Sequence, residues 1–358
     1  MQRQRPKDLA VQRAPDRVKS VDIVRLAAIV AVIAIHTTPF GVDQHPAGAS
    51  LWQAGWMIKQ VCRFAVPFFF VMSGYFWGVK VRNGAAPAAV SAALAKRLMI
   101  ILAAWSFIYL LPYNIGSVIE LGWTGPFREA YWNIISVLSA PWRLLLQGTK
   151  YHLWFLAALL YALAIATYFV AKGWHQALVA VAAVLFIAAL LMTAYAPTPL
   201  GMSTVLEARN GPFFGTLFFV SGIYIGKLRP AAAWLWQGTL LLLLGLVLQV
   251  AESMVLWHLY GVNPDPDFTV GTCFMGWGAA MVALSNHRWL QNERLSGIGK
   301  YTLGIYAVHL VFVEIFKPVD RYLSSALWEI GCVALVFACS LLTVSMLARQ
   351  RALRQIVL

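Results

Sequence analysis

Ten runs of roughly twenty apolar residues each leave this chain one class of fold. They fall near 21–40, 55–79, 98–114, 151–170, 176–195, 212–227, 234–256, 269–286, 301–317 and 324–347. A lipid core about 30 Å thick is crossed by a helix of that length. No water lies there to satisfy stray backbone N–H and C=O groups, so each run is expected to be helical. The expected fold is all-α and polytopic, with about ten transmembrane helices. Composition agrees: mean hydropathy is +0.70 and 12% of residues are charged, which excludes an ordinary soluble domain.

The basic residues test the number of runs. With the N-terminus in the cytoplasm, 19 of the 28 Lys and Arg residues fall on inside segments and 6 on outside segments. The rest, Arg25, Lys59 and Arg63, lie within runs. This bias is the one ten spans with both termini cytoplasmic should show. The formal charge of +14 therefore reads as membrane topology and contact with the lipid bilayer, not as a nucleic-acid surface. Residues 1–19 read as a basic cytoplasmic tail without fixed structure, 20–348 as the membrane domain and 349–358 as a second basic cytoplasmic tail. The N-terminal segment is too long, polar and basic for a cleavable signal peptide. Cys62, Cys273, Cys332 and Cys339 all lie in runs and form no CxxC pair, so neither a disulfide framework nor a metal site is expected.

The longest outside segment, 114–150, contains "WTGPFREAYWNIISVLSAPWRLLLQG". Aromatic and charged residues alternate there with apolar ones. It reads either as an amphipathic helix on the outer leaflet or as a lid over a site. The fifth run is hydrophobic all round and is expected to face lipid, the sixth is short and Gly-rich, and "YGVNPDPDFT" reads as a structural turn.

The first run, "VDIVRLAAIVAVIAIHTTPF", keeps ionisable groups that cost free energy inside a bilayer. Eleven residues separate Arg25 from His36, a rotation only about 20° past three full turns. The two share a face, about 16 Å apart along the axis. Asp22, three residues before Arg25, falls on the same side, where it can pair with it. Such a stripe must face the bundle interior or a wet cavity, unless Asp22 and Arg25 snorkel to the inner interface.

In the second run, Lys59 and Arg63 are i, i+4 neighbours that need an anionic partner, Glu329 being one candidate for Lys59. Pro67 is expected to kink this helix, and Ser73-Gly74 to let another approach closely. Lys96 and Arg97 open the third run, where cations at a helix start suit a phosphate. Glu314 and Glu252 read as interfacial, and Glu314 does not share a face with His309.

These patterns resemble the acyltransferase-3 family of bacterial membrane O-acyltransferases. The resemblance rests on D-x-x-R and R-x10-H in the first run, followed by Thr37-Thr38. It continues in "RFAVPFFFVMSGYF", "YHLWFLAALL" and "IGKYTLGIYAVHLVF", in order over most of the chain. The "IHTT" start is most similar to the enterobacterial common antigen O-acetyltransferase type. The resemblance implies a multi-pass protein of the bacterial inner membrane, with no bound cofactor. It implies acetyl-CoA or another acyl-CoA as donor substrate, and the hydroxyl of a cell-surface glycan or lipid-linked sugar as acceptor. His36 matches the family's catalytic histidine, and Arg25 matches the arginine that holds the CoA phosphates; Asp22, in the orienting role, is the second catalytic candidate. Arg63, Lys96 and Arg97 join it as donor-binding candidates. The family often carries an R-x-x-R-like pair near its third helix, where this sequence has Lys96-Arg97. Ser73, Tyr75, His152, Trp154, Tyr306 and His309 are candidate site-lining residues.

The chemistry is consistent with that resemblance. A sugar hydroxyl is a poor nucleophile, and a positioned imidazole can take its proton as it attacks a thioester. No serine or cysteine has an evident paired base, which favours direct transfer; an acetyl-imidazole on His36 is the alternative. A different class, a transporter or exporter whose charged groups line a path, also fits ionisable residues within spans.

Overall fold

The computed structural model describes residues 18–41, 51–204, 206–261, 263–323 and 325–358. Among them every regular element is a helix. The basic segment before residue 18 lies outside the described residues.

Helix α1 spans Lys19–Thr37 and ends where Thr38 takes a left-handed φ of 47°. The second run divides into α2 (Trp52–Cys62) and α3 (Ala65–Arg82). The break at Arg63 stands four residues before Pro67, whose ring clashes with that carbonyl and whose nitrogen has no hydrogen to donate. Helix α4 spans Pro87–Ile108, with the proline in its first turn, where no N–H is needed. It therefore begins about three turns before the third apolar run. Lys96 and Arg97 are mid-helix residues and not a helix start, which corrects the reading of that pair as an N-terminal anion site.

The outside segment folds into α5 (Ser117–Leu121), α6 (Gly125–Ser139) and α7 (Arg143–Gln147). Trp123, Phe127, Leu138 and Leu145 are exposed along it. Then follow α8 (Trp154–Ala171), α9 (His175–Met192), α10 (Phe213–Ile225), α11 (Trp234–Tyr260), α12 (Gly271–Leu284), α13 (Glu293–Gly299), α14 (Thr302–Phe316) and α15 (Ala326–Leu347). Among the described residues eight stretches are long and apolar enough to cross a membrane, with α2 and α3 forming one of them; α10 and α12 are shorter apolar helices in place of the sixth and eighth runs.

Small residues bring helices together. Gly74 of α3 lies against the Phe219 carbonyl of α10, and Gly222 of α10 against that of Val71, leaving no room for a β-carbon at either. On α11 and α12, Gly238 faces Gly278 and Gly245 faces Gly271 in the same manner. Helix α9 is not lipid-facing all round. Leu178, Ala182, Phe186 and Ala189 form a buried stripe, while Val179, Val184 and Ile187 are exposed. Alanine and valine are equally apolar toward lipid and toward protein, so hydropathy does not separate the faces.

Helix α1 occupies the centre, packed against α2, α3, α12, α13, α14 and α15. Ala28, Ile29 and Ile33 are fully buried. Its first turn is tied down by the Ser20 hydroxyl, which donates to the Ala283 carbonyl at 2.6 Å, and by a 2.7 Å ion pair between Lys19 and Glu293. The Lys19 hydrogen bond and charge hold the Glu293 carboxyl below its ordinary value.

The end of the chain is not a free tail. A turn at Arg354–Ile356 folds back onto α4, where the Trp105 indole donates to the Ile356 carbonyl at 2.8 Å. Val357 is fully buried against Gly304 of α14. The apolar "IVL" ending supplies surface to bury, which outweighs the basic residues before it.

Candidate active site

A cavity of about 900 Å³ runs beside α1, between α3, α4, α8 and α14. Arg25, Lys80, Arg97, Lys300 and Arg354 line it, each from a different segment. Lys80 lies in the last turn of α3, Lys300 just before α14 and Arg354 in the C-terminal turn, while Arg25 is in the second turn of α1 and Arg97 is midway along α4. The rest of the wall is largely apolar, with Val32, Phe69, Phe155 and Leu159. Ser73 and Tyr306 add hydroxyls. The shape is a basic mouth continued by an apolar channel.

Arg25 is held at that mouth. Its guanidinium lies 3.3 Å from the Asp22 carboxylate and 5.2 Å from the Phe76 ring centroid. An arginine offers several donors in a fixed fork, so orienting it sets what an anion in the cavity would meet.

Val32 is one turn before His36 on the same face of α1. His36 itself is half-buried and joins a cluster of rings. Its centroid is 5.1 Å from that of His309 on α14 and 5.5 Å from that of Tyr151. His152, at the entry to α8, is 5.3 Å from His309. The Tyr306 hydroxyl donates to the His152 carbonyl, and His152 Nε2 is 3.3 Å from the Ala307 carbonyl. Two nitrogens here, His152 Nδ1 and His309 Nε2, are buried without a hydrogen-bond partner. Among the described residues no group of three or more His, Cys, Asp or Glu is placed to hold a metal ion.

Residues 18–346 match a family model described as an acyltransferase domain, of acyltransferase-3 type. The chain belongs to the acyltransferase-3 family. That membership and its apolar helices make it a multi-pass membrane protein. Two curated relatives, both amino-acid racemases of Enterococcus faecalis, are similar to parts of it. One is 29% identical over 218 residues, covering 57% of this chain and 27% of that protein. The other is 24% identical over 343 residues, covering 92% and 46%. The chain spans less than half the length of either relative. No solved structure matches it.

In this family member the expected site residues separate into groups. Arg25, Arg97, Ser73 and Tyr306 line the cavity. His36, His152 and His309 meet just beyond its apolar end. Asp22 does not reach His36: fourteen residues separate them on one helix, about 21 Å along its axis. It acts on Arg25 and is not a catalytic partner of the histidine. Lys96 is exposed and does not line the cavity.

Arg63 is corrected too. With Lys59 it pairs with Asp265 in the turn between α11 and α12, Lys59 at 2.6 Å. Burial opposes ionisation of Asp265, but the Arg63 and Lys59 charges outweigh it and hold the carboxyl below its ordinary value. Asp265, 202 residues further on, supplies the anion the two cations required. The Glu329 carboxylate accepts from the Phe40 backbone N–H. Trp154 and Tyr75 are not cavity-lining: Trp154 packs on Phe70 and Phe214 and under Arg209, and Tyr75 on Phe76.

Sequence reasoning does not single out three of the cavity cations, Lys80, Lys300 and Arg354. Each is one of the basic residues of the inside segments, and nothing in its local pattern sets it apart from Lys96.

Proposed function

We propose that this acyltransferase moves an acyl group, acetyl in the first instance, from acyl-CoA to a hydroxyl of a cell-surface glycan or lipid-linked sugar at the bacterial inner membrane. His36 is the general base. The observation that carries the reading is the cavity itself: five cations at one end, an apolar channel, and a histidine cluster beyond it. CoA has matching parts. Its phosphates suit Arg25, Lys80, Arg97, Lys300 and Arg354, and its long thin arm suits the channel.

The reaction follows from that placement. The acceptor hydroxyl gives its proton to His36 as its oxygen bonds to the thioester carbonyl carbon. The carbon–sulfur bond then breaks, and the departing CoA sulfur takes the proton back from His36. Direct transfer needs no acyl-enzyme; in the alternative a His36 nitrogen bonds to the carbonyl carbon as the carbon–sulfur bond breaks, and the acceptor oxygen then bonds to that carbon as the carbon–nitrogen bond breaks.

The test uses purified protein in proteoliposomes with acetyl-CoA labelled in the acetyl group and a glycolipid extract as acceptor. The readouts are release of CoA thiol and acetylated lipid by mass spectrometry. The reading expects both with the wild type and neither with His36→Ala. A His36→Ala protein that transfers acetyl at the wild-type rate, or a wild type that releases no thiol, refutes it.

A further inference from the structure

His309 is fully buried in α14, and its Nδ1 lies 2.6 Å from the Tyr306 carbonyl oxygen. A carbonyl oxygen only accepts, so that nitrogen carries the hydrogen of the neutral ring. Nε2 is then a bare lone pair. It is sealed from solvent and has no hydrogen-bond partner, an arrangement folded proteins rarely keep without a use.

Three rings border it: His36 at 5.1 Å, His152 at 5.3 Å and Tyr306 at 5.9 Å between centroids. Tyr306 has given its hydroxyl hydrogen to the His152 carbonyl. His152 faces the Ala307 carbonyl through Nε2, so its hydrogen is there and its Nδ1 is a second bare acceptor. Two acceptors cannot bond to each other. Of the three rings, only His36 still has a hydrogen to give.

We propose that His309 is a positioning residue for His36, its Nε2 accepting the His36 ring N–H. That bond fixes the His36 tautomer and leaves the other His36 nitrogen bare for the acceptor hydroxyl. A centroid separation of 5.1 Å suits two imidazoles joined by an N–H···N bond of about 2.9 Å. Rotation of the His36 ring, without movement of either helix, closes it. The inference rests on the reading of His36 as base.

The proton balance is simple. When His36 takes the hydroxyl proton it becomes an imidazolium whose second N–H points at the His309 lone pair. His309 stabilises that charge without gaining a proton, as a buried carboxylate does for the histidine of a serine-protease triad. When the carbon–sulfur bond breaks, His36 returns the proton to the CoA sulfur and both rings are neutral again.

The experiment follows CoA thiol release from acetyl-CoA in proteoliposomes, together with binding of CoA itself. His309→Leu removes the acceptor atom; His309→Gln keeps one, because the amide oxygen reaches near the Nε2 position. The expected result for His309→Leu is a fall in kcat of tenfold or more with the Kd for CoA within twofold of wild type, and for His309→Gln recovery of most of that loss. A His309→Leu defect confined to KM or CoA binding, or a folded His309→Gln protein as slow as His309→Leu, overturns the proposal. If His309→Leu does not fold, His309→Gln decides: a folded variant within threefold of the wild-type kcat supports the assignment, and one slower than that overturns it. Failure of the underlying reading looks different, since His36→Ala would then keep the wild-type rate whatever the His309 variants do.

Discussion

Gly299 stands so close to α1 that a β-carbon on it would fall 2.5 Å from the Asp22 Cβ. Asp22 in turn holds Arg25 at 3.3 Å, and the residue after Gly299, Lys300, lines the same cavity. One missing methyl group thus sets the spacing of two cavity cations. Gly299→Ala should force α13 away from α1, with an overpacking cost of about 1–3 kcal/mol. The expected outcome is a lower unfolding midpoint and severalfold weaker CoA binding by titration calorimetry. Gly297→Ala, in the same short helix with nothing within 4 Å of the added carbon, should leave both unchanged.

The basic mouth predicts a graded response. A hydrogen bond to a charged group contributes about 1.5–3 kcal/mol. Replacing Lys80, Arg97, Lys300 or Arg354 singly by Ala should therefore weaken CoA binding about tenfold or more, with kcat for bound acetyl-CoA little affected. Lys96→Ala should not change CoA affinity, since that side chain lies outside the cavity. Dissociation constants for CoA in detergent, measured across a salt series, check both statements. An equal effect at Lys96 would point to bulk attraction and not to a site.

Some of this was legible in the sequence and some was not. Run length and lipid thickness suffice to find the apolar helices, and the near-whole number of turns between Arg25 and His36 suffices to put them on one stripe. Pro67 announces the break at Arg63. The start of α4 is hidden because "PAAVSAALAKR" is strongly helix-forming yet only weakly apolar, so hydropathy opens the helix too late. Lys80, Lys300 and Arg354 are hidden for another reason. Their role arises where three separate segments converge, and the periodicity of one helix carries no information about which helix ends meet. Asp265 is the same case: a Pro/Asp turn in sequence, and the counter-ion of Lys59 and Arg63 in space.

Asp265→Asn should be costly. It leaves two cations, each less than a tenth exposed, without the carboxylate that offsets their desolvation, and breaking such a group costs about 3–5 kcal/mol. Its pH dependence has a definite sign. The native carboxyl titrates below its ordinary 3.8, so the unfolded chain takes up the proton first as pH falls. The stabilisation is complete above the ordinary value and is lost as pH drops from there through the lowered native value. Thermal melts of wild type and Asp265→Asn should therefore differ most near neutral pH and converge in acid.

The C-terminal turn offers the last test. Arg354 and Leu358 line the cavity, but they are held there by contacts elsewhere: the Trp105 indole on the Ile356 carbonyl at 2.8 Å, and Val357 against Gly304. Trp105→Phe keeps the ring and removes the donor, which should cost about 1 kcal/mol and loosen the turn without touching the cavity wall. CoA affinity should fall by less than in Arg354→Ala. Deleting residues 354–358 removes the cation and the wall together, so its loss should be at least that of Arg354→Ala. Adding Trp105→Phe to the deletion should then cost no further affinity, because the indole's partner is already gone. Dissociation constants for CoA across this set, with unfolding midpoints as control, decide whether the turn is part of the donor site.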